Sequence, residues 1–164
     1  MNPIEQEDDP REAPDPRNLA LRRLAIREYG SGEMRAYLRR KGVSSQGAAE
    51  TVEALVKEKL IDDRRYARVI VRDQSFKDKG PTAILAKLRQ KGVQIELREV
   101  REIFGSAADV SEAEAVKRIL DRRYPNAKKD PKEARRAYMA LLRRGFSSAM
   151  IRHFLSFADG ADGS

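Results

Sequence analysis

The hexapeptide LRRKGV spans Leu38–Val43, LRQKGV spans Leu88–Val93, and LLRRGF spans Leu141–Phe146. Each pairs a Leu with a Gly four positions on and a Val or Phe directly after it. The pattern fits a helix that ends with a glycine in the left-handed conformation. In such an ending the residue after the glycine packs back on the residue three before the cap. Leu38 with Val43, Leu88 with Val93, and Leu141 with Phe146 are those pairs, around Gly42, Gly92 and Gly145. A side chain at such a glycine costs about 1 kcal/mol or more, because Cβ crowds the following carbonyl in the left-handed conformation. Three stops imply three similar units, and a period near 50 residues fits a tandem helical repeat.

Apolar spacing between the stops is helical. Ala48, Val52, Leu55 and Val56 share one face, as do Leu21, Leu24 and Ala25. The same spacing joins Tyr66 to Ile70, Ile84 and Leu85 to Leu88, Val116 to Ile119 and Leu120, and Met150 to Phe154. No stretch alternates strictly over six residues, so no sheet is expected. Gly30-Ser31-Gly32, Lys79-Gly80-Pro81, Tyr124-Pro125-Asn126 and Asp130-Pro131 punctuate the helices, and Asp62 suits an N-cap. The reading is all-α, a tandem array of three three-helix repeats at 17–60, 61–106 and 107–158. Residues 1–16, acidic and rich in Pro, and 159–164 are expected to be disordered tails.

Charged residues make up 37% of the 164, against about 25% in an average globular chain. That load favours an elongated body with much exposed helix surface. Residues 1–16 hold six acids (Glu5, Glu7, Asp8, Asp9, Glu12, Asp15) and one base (Arg11), a balance of −5. The chain carries +8, which leaves +13 for the rest. A body that basic suits a nucleic acid or an acidic protein surface. No window approaches 18 consecutive apolar residues and the N-terminus lacks the regions of a signal peptide, so a cytoplasmic protein is expected. Cys is absent, which excludes disulfides and thiolate metal sites.

Chemistry is sparse. His153 is the single histidine and lies between Arg152 and Phe154, with no partner set for a metal or a catalytic triad. KDKGPT (Lys77–Thr82) lacks the Gly-Lys-Ser/Thr end of a phosphate loop. Glu99 with Glu102, and Asp62 with Asp63, are ordinary helix-face and cap carboxylates. No catalytic residue, metal site or cofactor is expected.

The basic positions are more informative. On a wheel of about 100° per residue, Tyr66, Ala67 and Ile70 share one side, and Arg65, Arg68 and Arg72 fall on the other. The planar guanidinium fork suits carboxylate or phosphate. Arg39, Arg40 and Lys41, then Lys87, Arg89 and Lys91, then Arg143 and Arg144, precede the three glycines. Cations in a last helical turn also meet the helix dipole favourably, by about 0.3–1 kcal/mol each. Tyr37 and Tyr66 lie at core spacing, so they read as packing residues rather than stacking platforms.

LIDDRRYA (Leu60–Ala67), KGPTAILAKLRQKGV (Lys79–Val93), LLRRGF (Leu141–Phe146) and SGEMRAYLRRKGV (Ser31–Val43) together resemble the RecX family, bacterial regulators of the RecA recombinase. The resemblance covers residues 19–158. It implies an elongated, curved, monomeric array of three-helix repeats that binds the RecA filament on single-stranded DNA. It further implies inhibition of RecA ATP hydrolysis and strand exchange, and hence modulation of recombination, repair and the SOS response. Direct contact with single-stranded DNA, and with double-stranded DNA as a further candidate, is also implied. The basic residues above are the candidate contacts. The third repeat departs most from the family pattern, with Arg144-Gly145-Phe146 in place of Lys-Gly-Val and a longer run between Tyr124 and Asp130. Two other readings stand beside this one. A helix-turn-helix repressor would read bases from residues such as Gln46 and Gln94, which follow the glycine stops. A helical-repeat scaffold would have no nucleic-acid role and would keep its partner in high salt.

Overall fold

A computed structural model describes residues 15–107 and 111–155. Residues 1–14 and 156–164 lie outside the described residues, and with them most of the expected tail 1–16 and all of 159–164; Asp15 and Pro16, expected in the first tail, are instead the N-cap and first residue of α1. The described elements are all helices: α1 (Pro16–Leu24), α2 (Ser31–Arg40), α3 (Ser45–Lys57), α4 (Asp63–Phe76), α5 (Pro81–Gln90), α6 (Leu97–Ala107), α7 (Glu112–Arg123), α8 (Pro131–Arg143) and α9 (Ser148–Leu155). Among the described residues no helix is long and apolar enough to cross a membrane.

The three glycine stops close α2, α5 and α8. Gly42, Gly92 and Gly145 have φ of 90°, 74° and 89°. In α2 the Val43 amide donates to the Leu38 carbonyl (3.1 Å) and the Gly42 amide to Arg39 (3.1 Å). The same pair of bonds recurs from Val93 and Gly92 at 3.0 and 2.9 Å, and from Phe146 and Gly145 at 3.2 and 3.0 Å. Carbonyls that a helix end leaves unpaired are thereby satisfied.

Two further helices end the same way without glycine. Lys59 (φ 59°) closes α3 and Asp78 (φ 56°) closes α4. The Leu60 amide returns to Leu55 and the Lys79 amide to Gln74. Sequence alone gave no sign of these, because the motif is recognised by its glycine.

Residues up to Asp62 form one compact unit and those from Asp63 a second. In the first, Ala20, Met34, Tyr37, Leu38, Ala48, Val52, Leu55 and Ile61 make the core. Gly32, expected between helices, lies inside α2, which starts at Ser31 with Gly30 as its N-cap. Val56, expected on the core face of α3, is 43% exposed, and Ala25 lies past the end of α1 and faces solvent.

Arg17 at the start of α1 grips Glu58 at the α3 C-cap through two parallel bonds of 2.8 and 2.7 Å. The hydrogen bond from Arg17 holds the Glu58 carboxyl below its ordinary value. A depressed carboxyl stabilises the fold fully above the ordinary glutamate range and loses that contribution as pH falls through it. The expected result is a gap in urea midpoint between the native chain and Glu58→Gln at about pH 7 that narrows as pH falls below the ordinary glutamate range and closes once the native carboxyl is protonated. A gap independent of pH would contradict the clamp. Both side chains are nearly half exposed, so salt will also narrow it.

The second unit holds α4 to α9 around one core. Tyr66, Ile84, Leu88 and Phe104 from the first three of these helices join Val116, Ile119, Leu141 and Ile151 from the last three and Phe146 from the turn between α8 and α9. The second and third glycine-stopped repeats therefore share one core.

Polar contacts lock that body at the turn between α4 and α5. Asp78 is buried and accepts from Arg122, with Arg118 at 3.5 Å and Arg123 at 3.8 Å, all three from α7. Its carbonyl accepts from Arg144 (3.4 Å). The Gly80 amide donates to the Arg144 carbonyl (2.7 Å), and the Thr82 amide to the Gly145 carbonyl (3.1 Å). A Cβ at Gly80 would sit 2.6 Å from the Gly145 carbonyl oxygen and the Phe146 nitrogen, so glycine is required for this backbone approach.

Candidate functional site

Helix α4 presents its outer face as sequence spacing indicates. Tyr66, Ala67 and Val71 are buried, while Arg65, Arg68 and Arg72 are exposed. Among the described residues Arg68 and Arg72 make no ion pair within 4.0 Å. The helix also exposes Val69 (48%), between Arg68 and Arg72, and Phe76 (69%) at its end, which the wheel reading did not single out. Large apolar side chains left in water beside guanidinium groups are the composition of a protein contact surface, where Arg and aromatic residues carry much of the energy. Arg64 lies beside this row and reaches Glu102 at 3.9 Å.

The basic residues at the glycine stops divide by environment. In the first unit Arg39, Arg40 and Lys41 are exposed at the end of α2. In the second, Arg89 is exposed and Lys87 and Lys91 are half-buried at the end of α5. Arg144 donates to the Asp78 carbonyl and so serves the fold. Arg143 faces a cavity of about 590 Å³ lined also by Tyr124, Lys132, Arg135, Arg136 and Met139. Lys132, Arg135 and Arg136 were not singled out from sequence. Their signal was available: Lys132, Arg136, Met139 and Arg143 recur at i, i+4, i+7 and i+11, one exposed helix stripe.

Gln46, the residue a base-reading role would use, donates instead to Glu50 (2.9 Å) on the same helix. His153 stacks edge-on to Phe154, with ring centroids 5.3 Å apart. Among the described residues no group of His, Cys, Asp or Glu could hold a metal ion.

Comparison with known proteins accounts for the three-fold pattern. Residues 17–55, 62–99 and 111–155 match the family models for the first, second and third three-helix domains of RecX. The chain belongs to the RecX family. It is 33% identical over 147 residues to the regulatory protein RecX of Halorhodospira halophila, covering 89% of each chain. It is 34% identical over 142 residues to that of Trichlorobacter lovleyi, covering 81% of this chain and 88% of that one. The crystal structure of RecX from Lactobacillus salivarius superposes with a TM-score of 0.65 over 88% of this chain and 94% of that one. At 21% identity that likeness concerns the fold. The matched regions take in α1 to α3, α4 to the first residues of α6, and α7 to α9.

Proposed function

We propose that this RecX-family chain is a non-enzymatic, cytoplasmic, monomeric regulator that binds the RecA filament on single-stranded DNA and inhibits ATP hydrolysis and strand exchange. Family membership supports a RecA-related regulatory role, and the relatives are named as regulatory proteins. The observation that carries the reading is the outer face of α4. There Arg65, Arg68 and Arg72 share the exposed side with Val69 and Phe76, on a helix whose other face is core. Guanidinium groups meet carboxylates of the filament protein or phosphates of its strand, and the apolar side chains fill gaps between them. The cations at the end of α5 are further candidate contacts in this unit, those at the end of α2 are separate candidates in the first unit, and the glycine stops are structural.

The test is Arg65→Ala/Arg68→Ala/Arg72→Ala in a RecA ATPase assay on single-stranded DNA. Three charged contacts of about 1 kcal/mol each predict a rise of tenfold or more in the half-inhibitory concentration. The urea midpoint should stay close to that of the native chain, since exposed surface changes cost about 0.5 kcal/mol or less. A folded variant that inhibits as well as the native chain would overturn the assignment of this face.

A further inference from the structure

We infer that the acidic N-terminal segment, residues 1–14, docks on the cations at the end of α2 in its own unit and competes there with external partners. The segment holds five acids, Glu5, Glu7, Asp8, Asp9 and Glu12, against one base, Arg11, a balance of −4. Arg35, Arg39, Arg40 and Lys41, exposed on the last turns of α2 and at its C-cap, carry the matching charge of +4. The segment ends at Asp15, the N-cap of α1, which belongs to the same unit.

The first unit sorts its charges into two groups. Arg17 pairs with Glu58, Arg27 with Glu33 and Lys57 with Glu53. Arg23 lies over the Tyr37 ring at 4.8 Å. Those carboxylates are therefore taken, Glu50 accepts from Gln46, and Asp15 accepts from the Arg17 amide. Among the described residues Arg35, Arg39, Arg40 and Lys41 make no ion pair within 4.0 Å. The dipole of α2 favours Arg39, Arg40 and Lys41 at its C-terminal end. It does nothing for Arg35, which stands four residues before Arg39, a spacing at which like charges repel. The cluster gains from an acidic neighbour, and the segment attached at Asp15 is one.

Length places the whole unit within reach. Residues 1–14 can extend to about 46 Å at about 3.3 Å each, and a body of about 50 residues has a radius of gyration of about 10 Å. Geometry therefore excludes no face of the unit, and charge selects among them. Glu50 and Glu53 on α3, with Glu58 at its C-cap, disfavour the segment on that helix. Tethering sets an effective concentration in about the millimolar range, so charge contacts too weak to hold a free peptide suffice here. A segment seated on Arg39, Arg40 and Lys41 covers the candidate contacts of the first unit, and an external carboxylate or phosphate must displace it. Salt weakens the seated state by screening the charges.

The chain has no Cys, so Gln6→Cys carries a single nitroxide label in the full-length protein. Amide spectra are compared with the label oxidised and reduced. At about 20 mM salt the amides from Arg35 to Lys41 are expected to broaden at least about twofold more than those of Glu50 and Glu53, and at about 0.5 M salt the difference should vanish. The same label in Glu5→Gln/Glu7→Gln/Asp8→Asn/Asp9→Asn/Glu12→Gln keeps the tether and removes the charge, so the broadening of α2 should be lost. Arg39→Ala/Arg40→Ala should lower it by about half or more, since exposed substitutions of this kind leave the fold intact. Broadening of α2 that survives neutralisation of the acids would reflect tethering alone and would overturn the contact. Broadening centred on α4 or α8 would seat the segment on the second unit and would overturn it equally. Competition is read from binding of polyglutamate to the full chain. Neutralising the five acids should raise that affinity by about threefold or more, and by less than about 1.5-fold when Arg39→Ala/Arg40→Ala is also present. An equal rise in both would mean that the segment acts through net charge rather than through α2, against the proposal. No RecA is present, so failure here leaves the α4 reading intact, and failure of the α4 variant leaves this contact intact.

Discussion

Gly145→Ala is expected to destabilise its unit by about 3 kcal/mol, and Gly42→Ala by only about 1 kcal/mol, although both end a helix with the same motif. The shared part of the cost is conformational. Both residues have φ near +90°, where any Cβ is strained by about 1 kcal/mol. The difference is what the Cβ meets. At Gly42 nothing lies within 4 Å. At Gly145 it would sit 2.7 Å from the Ala83 Cβ and 3.0 Å from its Cα. Relieving that overlap means parting α5 from the end of α8, an overpacking cost of about 1–3 kcal/mol beyond the strain. It also loosens the bonds from Gly80 and Thr82 to Arg144 and Gly145. Urea unfolding followed by circular dichroism, with hydrogen exchange of the α2 and α8 amides to separate the units, measures both changes. Equal costs would mean that the close approach of α5 and α8 is not made.

The second large effect is expected at Asp78. Asp78→Ala should cost about 2 kcal/mol. Removing one partner of a buried ion pair costs about 3–5 kcal/mol, and the three arginines here are roughly half exposed, so water recovers part of it. Alanine also tolerates the left-handed conformation (φ 56°) less well than Asp. Asp78→Asn keeps an acceptor and a side chain suited to that conformation, and should lose about half as much. The comparison isolates the charge. If Asp78→Asn were as damaging as Asp78→Ala, the carboxylate charge rather than its hydrogen bonding would carry the junction. If neither changed the urea midpoint, the arginine cluster would be solvated and the junction held by backbone bonds alone.

These two residues mark where sequence reading stops. The glycine stops were legible because each is local, with all partners inside six consecutive residues. The burial of Tyr37, Tyr66 and Leu88 was legible because helical period reports which side faces the core. Val56 misled because it lies about 100° around the helix from Leu55, at the edge of the stripe that Ala48, Val52 and Leu55 bury. The role of Asp78 was invisible: Arg118 and Arg122 lie 40 and 44 positions away, and nothing local distinguishes an acid that caps a helix from one that is solvated. The approach of Gly80 to Gly145 joins positions still further apart, so Gly80 read only as a helix breaker before Pro81. At the candidate interface the wheel separated Arg65, Arg68 and Arg72 from the core face, but the exposure of Phe76 depends on what packs at the end of α4. In the third repeat, attention to the glycine stop drew the reading to Arg143 and Arg144. The structure divides that pair, placing Arg144 in the fold and Arg143 beside Lys132, Arg135 and Arg136.

The most direct test of the proposed regulation is RecA ATP hydrolysis on single-stranded DNA, with this chain titrated in at moderate salt. A protein that acts on filaments affects many protomers per molecule bound, so inhibition is expected at concentrations well below that of RecA. Inhibition that begins only when the chain saturates the DNA would mean competition for phosphate and would contradict action on the filament. Unchanged hydrolysis, with the chain shown to be folded and RecA taken from the same organism, would remove the proposal altogether.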